Sequence, residues 1–197
     1  MSEPASPRGP LPGPDGKLRC PWAVSAPDYL DYHDDEWGRP VHGDKEIFER
    51  LSLEAFQSGL SWLTILRKRE NFRKAFAGFE ISAVAAFGPD DEQRLLADAG
   101  IVRNKAKITA VIANARATLE LPVGLSDLVW NYAEKPGDRP APRSVEELQG
   151  LTPASKALSK ELKKHGFVFT GPTTAYATMQ ACGIVNDHLA DCFRRDG

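Results

Sequence analysis

Two cysteines and two histidines stand where a metal could gather them. Cys20 and His33 lie 13 positions apart near the start of the chain, and His188 and Cys192 lie four apart near its end. On a helix, positions i and i+4 share a face, so one ion can take both of the later pair. Two thiolates and two imidazoles complete a tetrahedral zinc, and four protein ligands leave no open position, so such a site would be structural rather than catalytic. Its effect would be to clip the two chain ends together, through the metal–ligand bonds and by removing loop-closure entropy. The competing reading is ordinary: a lone cysteine is usually a small buried hydrophobe, and a lone histidine a hydrogen-bonded residue of core or surface. Cys182, flanked by Ala181 and Gly183, reads as buried.

A second group surrounds Glu54. On a helix it falls beside the apolar stripe of Ile47, Phe48, Leu51 and Ala55 rather than opposite it. Gln57, Ser58, Gly59, Leu60, Ser61 and Trp62 follow, and Trp22, Tyr29, Tyr32 and Trp37 precede it, so three of the four tryptophans fall within residues 22–62. A half-buried carboxylate among aromatic faces suits a flat cationic or electron-poor ring, held by stacking and cation–π attraction while the carboxylate accepts its N–H. The alternative is that the aromatics are core and Glu54 is a solvated helix residue. A third group lies at a turn between two helical stretches. Gly100 permits the left-handed backbone of a helix end, Asn104 starts the next helix, and Arg103, Lys105 and Lys107 surround its positive dipole end, an arrangement suited to a nucleic-acid phosphate. An ordinary basic helical hairpin has the same pattern.

The elements that must position these groups are mostly helical. Apolar spacing predicts helices over about 44–58, 61–76, 81–87, 91–98, 104–119, 126–133, 152–165, 172–182 and 185–194, with Thr152-Pro153 a strong start signal. Only Phe167-Val168-Phe169-Thr170 looks extended. Residues 1–18 hold five prolines and almost nothing apolar, and read as a disordered tail before a single domain at 19–197. The expected fold class is all-α.

Composition excludes several classes. The chain has 197 residues, 42% hydrophobic and 26% charged, enough for one core without disulfides. No apolar run approaches the ~18–20 residues that span a bilayer, the N-terminus lacks the pattern of a secretory signal, and three cysteines do not suggest a disulfide scaffold, so the expectation is a cytoplasmic protein. The formal charge of −2 argues against a nucleic-acid binder at first sight. That charge is unevenly distributed: residues 28–54 carry nine acids and three bases, whereas 67–74, 103–116 and 156–164 are basic runs. Each run alone is most simply a solvated face; three beside an acidic segment suggest a two-sided surface.

Four separated runs carry a family resemblance: Tyr32-His33-Asp34-Asp35-Glu36-Trp37-Gly38, Gly59-Leu60-Ser61-Trp62, Ala99-Gly100-Ile101-Val102-Arg103-Asn104, and Met179-Gln180-Ala181-Cys182-Gly183-Ile184-Val185-Asn186-Asp187-His188. Together they resemble DNA-3-methyladenine glycosylase I over about residues 19–193. The resemblance implies an all-α helix-hairpin-helix glycosylase fold and excision of 3-methyladenine from alkylated DNA by cleavage of the N-glycosidic bond. It implies one structural zinc on Cys20, His33, His188 and Cys192, with Cys182 not a ligand. The base pocket falls on Glu54, Tyr32 and Trp62, with Trp22, Tyr29 and Trp37 nearby, and Gly59 and Leu60 fall on the loop that fills the gap left by a flipped nucleotide. Arg103-Asn104 stands where the wider superfamily usually has a second glycine. Asp127 and Asp138, the acids in range after the hairpin, lack the context of that superfamily's catalytic aspartate, so Glu54 either reads the base or activates water. No lysine is placed to suggest a Schiff base, which points to a monofunctional enzyme without strand cleavage. The expectation alongside is a monomer on double-stranded DNA, associated with the nucleoid, needing no membrane or protein partner. Two rival readings are a non-enzymatic binder of alkylation damage on the same fold and a zinc-dependent hydrolase; four candidate ligands argue against the latter.

Overall fold

The structure, a computed structural model, describes residues 8–135 and 137–196. Among them are nine α-helices: α1 Pro27–Asp35, α2 Asp44–Gln57, α3 Trp62–Ala75, α4 Ile81–Ala85, α5 Pro89–Ala97, α6 Lys105–Leu119, α7 Leu125–Trp130, α8 Pro153–Lys164 and α9 Pro172–Ala181. Their starts follow local chemistry. The Ser61 hydroxyl accepts from the Thr64 amide at 3.3 Å, the Asn104 side chain from the Lys107 amide at 3.1 Å, and Thr152 and Ser155 exchange bonds at 2.9 and 3.1 Å. Asp44, expected as a cap, is instead the first helical residue after Gly43, and its carboxylate accepts from the Ser126 amide at 2.8 Å, which ties α2 to α7.

The core forms where α2, α3, α6 and α9 meet. Ile47, Phe48, Leu51 and Phe56 of α2 face Phe72 and Phe76, with Phe56 and Phe72 ring centres 4.6 Å apart. α6 is apolar on most of its circumference and packs against α4 and α5, burying Ile108, Val111, Ile112 and Ala115. α9 lies against α2 and α8. A smaller cluster joins Cys20, Leu189 and Cys192 to Trp22 and Trp37.

Four local expectations differ from the structure. α1 has no counterpart in the apolar spacing; Pro27 at its first turn starts it, and its aromatic residues serve the site rather than the core. No helix forms over 185–194. Arg195 donates to the carbonyls of Asn186 and His188 at 2.7 and 2.9 Å, taking acceptors a helix would use, and the backbone closes in turns instead. Residues 167–170 form no strand, because the Asn114 side chain takes both the amide and the carbonyl of Val168, at 2.8 and 3.0 Å. Of the expected tail, 1–7 lie outside the described residues. The part from Arg8 on is ordered against the domain: Leu11–Pro12 pairs antiparallel with Leu18–Arg19, and the buried Arg19 guanidinium bonds Asp15 at 2.6 Å and Asp34 at 2.7 Å.

Candidate functional site

Five aromatic residues from the first third of the chain converge on one cavity of about 420 Å³. α1 supplies Tyr29 and Tyr32, the turn before it Trp22, the segment after it Trp37, the start of α3 Trp62, the last turn of α2 Glu54 and Gln57, and α9 Gln180. Trp22 stands edge-on to both Tyr29 and Trp37, at 5.5 and 5.1 Å, forming one wall. Tyr32 and Trp62 lie 5.3 Å apart at 42°, and the Tyr29 hydroxyl accepts from the Leu63 amide at 2.8 Å, which fixes α1 to the first turn of α3. Trp62 is half-buried, so a ring face remains available in the cavity.

Glu54 is the unusual group in this cavity. It is buried, and its Oε2 has no hydrogen-bond partner among the described residues; the Trp62 Nε1 is buried and unpartnered too. A buried polar atom without a partner is costly and calls for an explanation, of which a binding or catalytic role is one. Burial pushes the Glu54 carboxyl up to about 8, against the opposing pull of the Arg50 guanidinium one turn earlier on α2. Burial also holds the Tyr32 phenol well above its ordinary value, with the nearby Glu54 charge adding to it. At neutral pH the acid is therefore mostly neutral, and a cation entering the cavity would favour its ionised form. Arg50 was not among the expected site residues. It donates to Glu36 at 2.8 Å, and Arg69 of α3 donates to the same carboxylate at 2.6 and 2.8 Å, so the cation behind Glu54 is held in place. The i, i+4 spacing of Arg50 and Glu54 was a readable signal for this pair.

Cys20, His33, His188 and Cys192 come together with their ligand atoms within 4.8 Å of one another, all four buried. The donor set fits a structural metal. His33 turns its Nδ1 to Asp34 at 2.8 Å and its Nε2 toward Cys192 at 3.4 Å; His188 turns its Nε2 to the Trp37 carbonyl at 3.1 Å and its Nδ1 toward both sulfurs. Each imidazole thus keeps one nitrogen for an ion and fixes the other with an outer partner, the usual support of a metal-bound histidine. Hydrogen bonds from Cys20, His188 and His33 hold the Cys192 thiol far below its ordinary value, toward thiolate. Gly38 is required here, since a Cβ would lie 2.8 Å from the His188 ring and its φ is +78°. Cys182 is buried away from this group, beside Glu54 and Arg50. His188 and Cys192 are joined by a turn, not by the expected helix.

The expected DNA-contacting residues divide. Gly59 and Leu60 form an exposed turn after α2, with Gly59 at φ +80° and Leu60 42% exposed. Arg103, Asn104 and Lys105 are exposed at the start of α6. Lys107 is turned inward: its ammonium caps the C-terminal end of α2 by donating to the carbonyls of Phe56 and Ser58 at 2.8 and 2.5 Å. Gly100 does not adopt the left-handed conformation expected of it; a side chain there would meet Asn71 at 3.2 Å, so its role is close approach of the hairpin turn to α3. Lys68 and Asn71 hold that turn by donating to the Gly100 carbonyl at 3.1 and 3.3 Å. The acidic segment and the first basic run do not divide a surface between them. They pair: Asp28 with Arg67 at 2.7 Å, Glu36 with Arg69 at 2.6 Å, and Glu49 with Arg73 at 2.7 Å.

Comparison with known proteins agrees with this geometry. Residues 22–195 match the family model for methyladenine glycosylase. The chain is 46% identical to DNA-3-methyladenine glycosylase 1 of Escherichia coli over 88% of this chain and 95% of that one. It superposes on a crystal structure of 3-methyladenine DNA glycosylase I with a TM-score of 0.84, at 44% identity over 89% of this chain and 98% of the other. It also superposes on the Staphylococcus aureus 3-methyladenine DNA glycosylase I, studied for its recognition of 3-methyladenine, with a TM-score of 0.82 at 34% identity over 89% and 95% of the two chains. With the matched model spanning nearly all of the described chain, this protein belongs to the methyladenine glycosylase family.

Proposed function

We propose that this chain excises 3-methyladenine from alkylated double-stranded DNA by hydrolysing the N-glycosidic bond. The observation that carries the reading is Glu54: a buried carboxyl without a hydrogen-bond partner in a cavity walled by Trp22, Tyr29, Tyr32, Trp37 and Trp62. Methylation at N3 places positive charge on adenine and makes it a good leaving group, so the enzyme needs less acid catalysis than one removing a neutral base. The lesion flips out of the duplex at a cost of a few kcal/mol, smaller for a damaged base. Trp62 stacks on it, and Glu54 and Tyr32 meet its polar edge. Water then bonds to C1′ of the sugar, the glycosidic electron pair leaves with the base as neutral 3-methyladenine, and the proton lost by water passes to the Glu54 carboxylate or to solvent. No lysine takes part, so the strand is not cut.

Leu60 at its exposed turn fills the gap left by the nucleotide, and Arg103, Lys105 and the α6 N-terminus around Asn104 hold backbone phosphates. Cys20, His33, His188 and Cys192 would hold one zinc, whose chemistry here is structural because a four-ligand site offers no open position. The protein acts as a monomer without a protein partner, in the cytoplasm with the DNA. Among the described residues no helix is long and apolar enough to cross a membrane. The experiment is release of free 3-methyladenine from methylated duplex DNA by the purified protein, against Glu54→Gln. Tight binding of the damaged duplex with no base release would overturn the enzymatic reading in favour of a damage-binding protein.

A further inference from the structure

Gln180 lines the same cavity from the last turn of α9, and its amide is not free to choose which end faces the cavity. Its Nε2 donates to Asp187 Oδ2 at 2.6 Å. Asp187 is fully buried and accepts on the same oxygen from the Tyr176 hydroxyl at 2.6 Å, while its other oxygen is bonded by Arg139. Arg139 is held in turn by Glu134 at 2.7 Å. A carboxylate paired with a guanidinium offers only acceptors, so the Gln180 group facing it must be the NH₂. The two ends of the amide diverge from one planar carbon, so the carbonyl oxygen is directed away from Asp187. That oxygen has no partner among the described hydrogen bonds of a residue that lines the cavity.

We propose, on the basis of the glycosylase reading above, that Asp187 is a positioning residue that locks the Gln180 carbonyl toward the base, so that Gln180 selects a purine with an amine at position 6 over one with a carbonyl there. Adenine presents an N–H donor at position 6, and guanine an acceptor oxygen. A fixed carbonyl bonds the first and repels the second. Glu54 can change between a donating acid and an accepting carboxylate, whereas the fixed amide of Gln180 presents only its carbonyl. A side-chain amide held by an ion-paired carboxylate keeps the same end toward the cavity whichever base enters. Selection therefore comes from a buried chain, Arg139 to Asp187 to Gln180, whose first two members do not line the cavity.

The test compares the initial rates of release of 3-methyladenine and 3-methylguanine from the same methylated DNA. Asp187→Asn gives the amide a partner that can donate or accept, so Gln180 can turn its NH₂ to the base. The expected result is slower release of 3-methyladenine with faster release of 3-methylguanine, and a fall in their ratio of roughly tenfold, the scale of one hydrogen bond gained or lost. A merely structural role would lower both rates together, and an unchanged ratio overturns the proposal. Asp187 neighbours a candidate metal ligand. If Asp187→Asn does not fold, Gln180→Leu carries the test alone, and it too must lower the ratio. Wild-type protein that releases neither base refutes the glycosylase reading instead, so the two failures are distinguishable.

Discussion

Glu54→Gln should make the protein more stable, by an amount that grows with pH. In the folded chain the carboxyl is pushed up to about 8 from its ordinary 4.5, chiefly because burial penalises the charged form. Below pH 4.5 the acid is protonated in both folded and unfolded chains and contributes nothing. Between 4.5 and 8 the unfolded chain releases the proton while the folded chain keeps it, so the unfolded state binds fewer protons and stability falls as pH rises. Above 8 the loss is complete. At ~1.36 kcal/mol for each tenfold change in proton affinity, the loss is about 3 kcal/mol at pH 7 and approaches about 5 kcal/mol above pH 8. Glutamine has nearly the same shape and no charge, so its own burial cost is constant with pH. The difference between variant and wild type should therefore be flat below pH 4.5 and rise at up to ~1.4 kcal/mol per pH unit through neutrality. For a domain of this size each kcal/mol moves the melting temperature by roughly 2–4 °C. Urea or thermal unfolding of both proteins from pH 4 to 9 reads the slope directly. A difference that does not vary with pH would refute the reasoning, because it would mean that Glu54 ionises in the folded state as it does in water. The same variant should lose base release, which separates the group's cost to the fold from its use in the reaction.

The other predictions concern the remaining parts of the site. Elemental analysis should find about one zinc per chain, and Cys192→Ala should lose it and fold less stably, since a closed Cys₂His₂ site contributes its binding energy to folding; full metal retention would exclude the four-ligand site. Trp62→Ala should weaken binding of the damaged base by roughly 5- to 150-fold, from ~1–3 kcal/mol of stacking per base, while leaving the melting temperature near that of wild type. Lys107→Met should cost about 1–3 kcal/mol of stability by leaving the Phe56 and Ser58 carbonyls without their donor, with the salt dependence of DNA affinity unchanged. Arg103→Ala should do the reverse, reducing the log–log salt slope by about one with little effect on unfolding.

How much was legible in the sequence depended on whether a residue's role was local. Caps such as Asn104 and Ser61 act within four residues, and the helices they start are where spacing placed them. The cysteines and histidines were identifiable as donors, yet the reason given for His188 and Cys192, a shared helix face, does not hold; turns bring them together instead. α1 was not readable because Tyr29, Tyr32 and His33 face a cavity and the Cys/His cluster, which removes the apolar stripe that spacing detects. Gln180 and Asp187 stand within one of the four motif runs, but the Arg139 that pairs with Asp187 reaches it from the loop between α7 and α8.

The charge pattern shows why a local reading reaches its limit at the DNA-facing surface. Blocks of acid and base separated by only a dozen residues suggested two faces, but a helical hairpin folds such blocks onto each other. Arg67, Arg69 and Arg73 spend their charge on Asp28, Glu36 and Glu49, and Arg116 donates to the carbonyls of Ala85 and Phe87 at the end of α4. The pairing with Glu36 also fixes Arg50 behind Glu54, so one basic residue counted toward a surface instead supports the pocket. The exposed cations without an ion-pair partner among the described residues include Arg103 and Lys105 at the start of α6, Lys74 at the end of α3, and Lys156, Lys160 and Lys163 on α8. On the proposed reading, discrimination between damaged and normal DNA belongs to the cavity, where a cationic base would favour ionisation of an acid that burial keeps mostly neutral at pH 7.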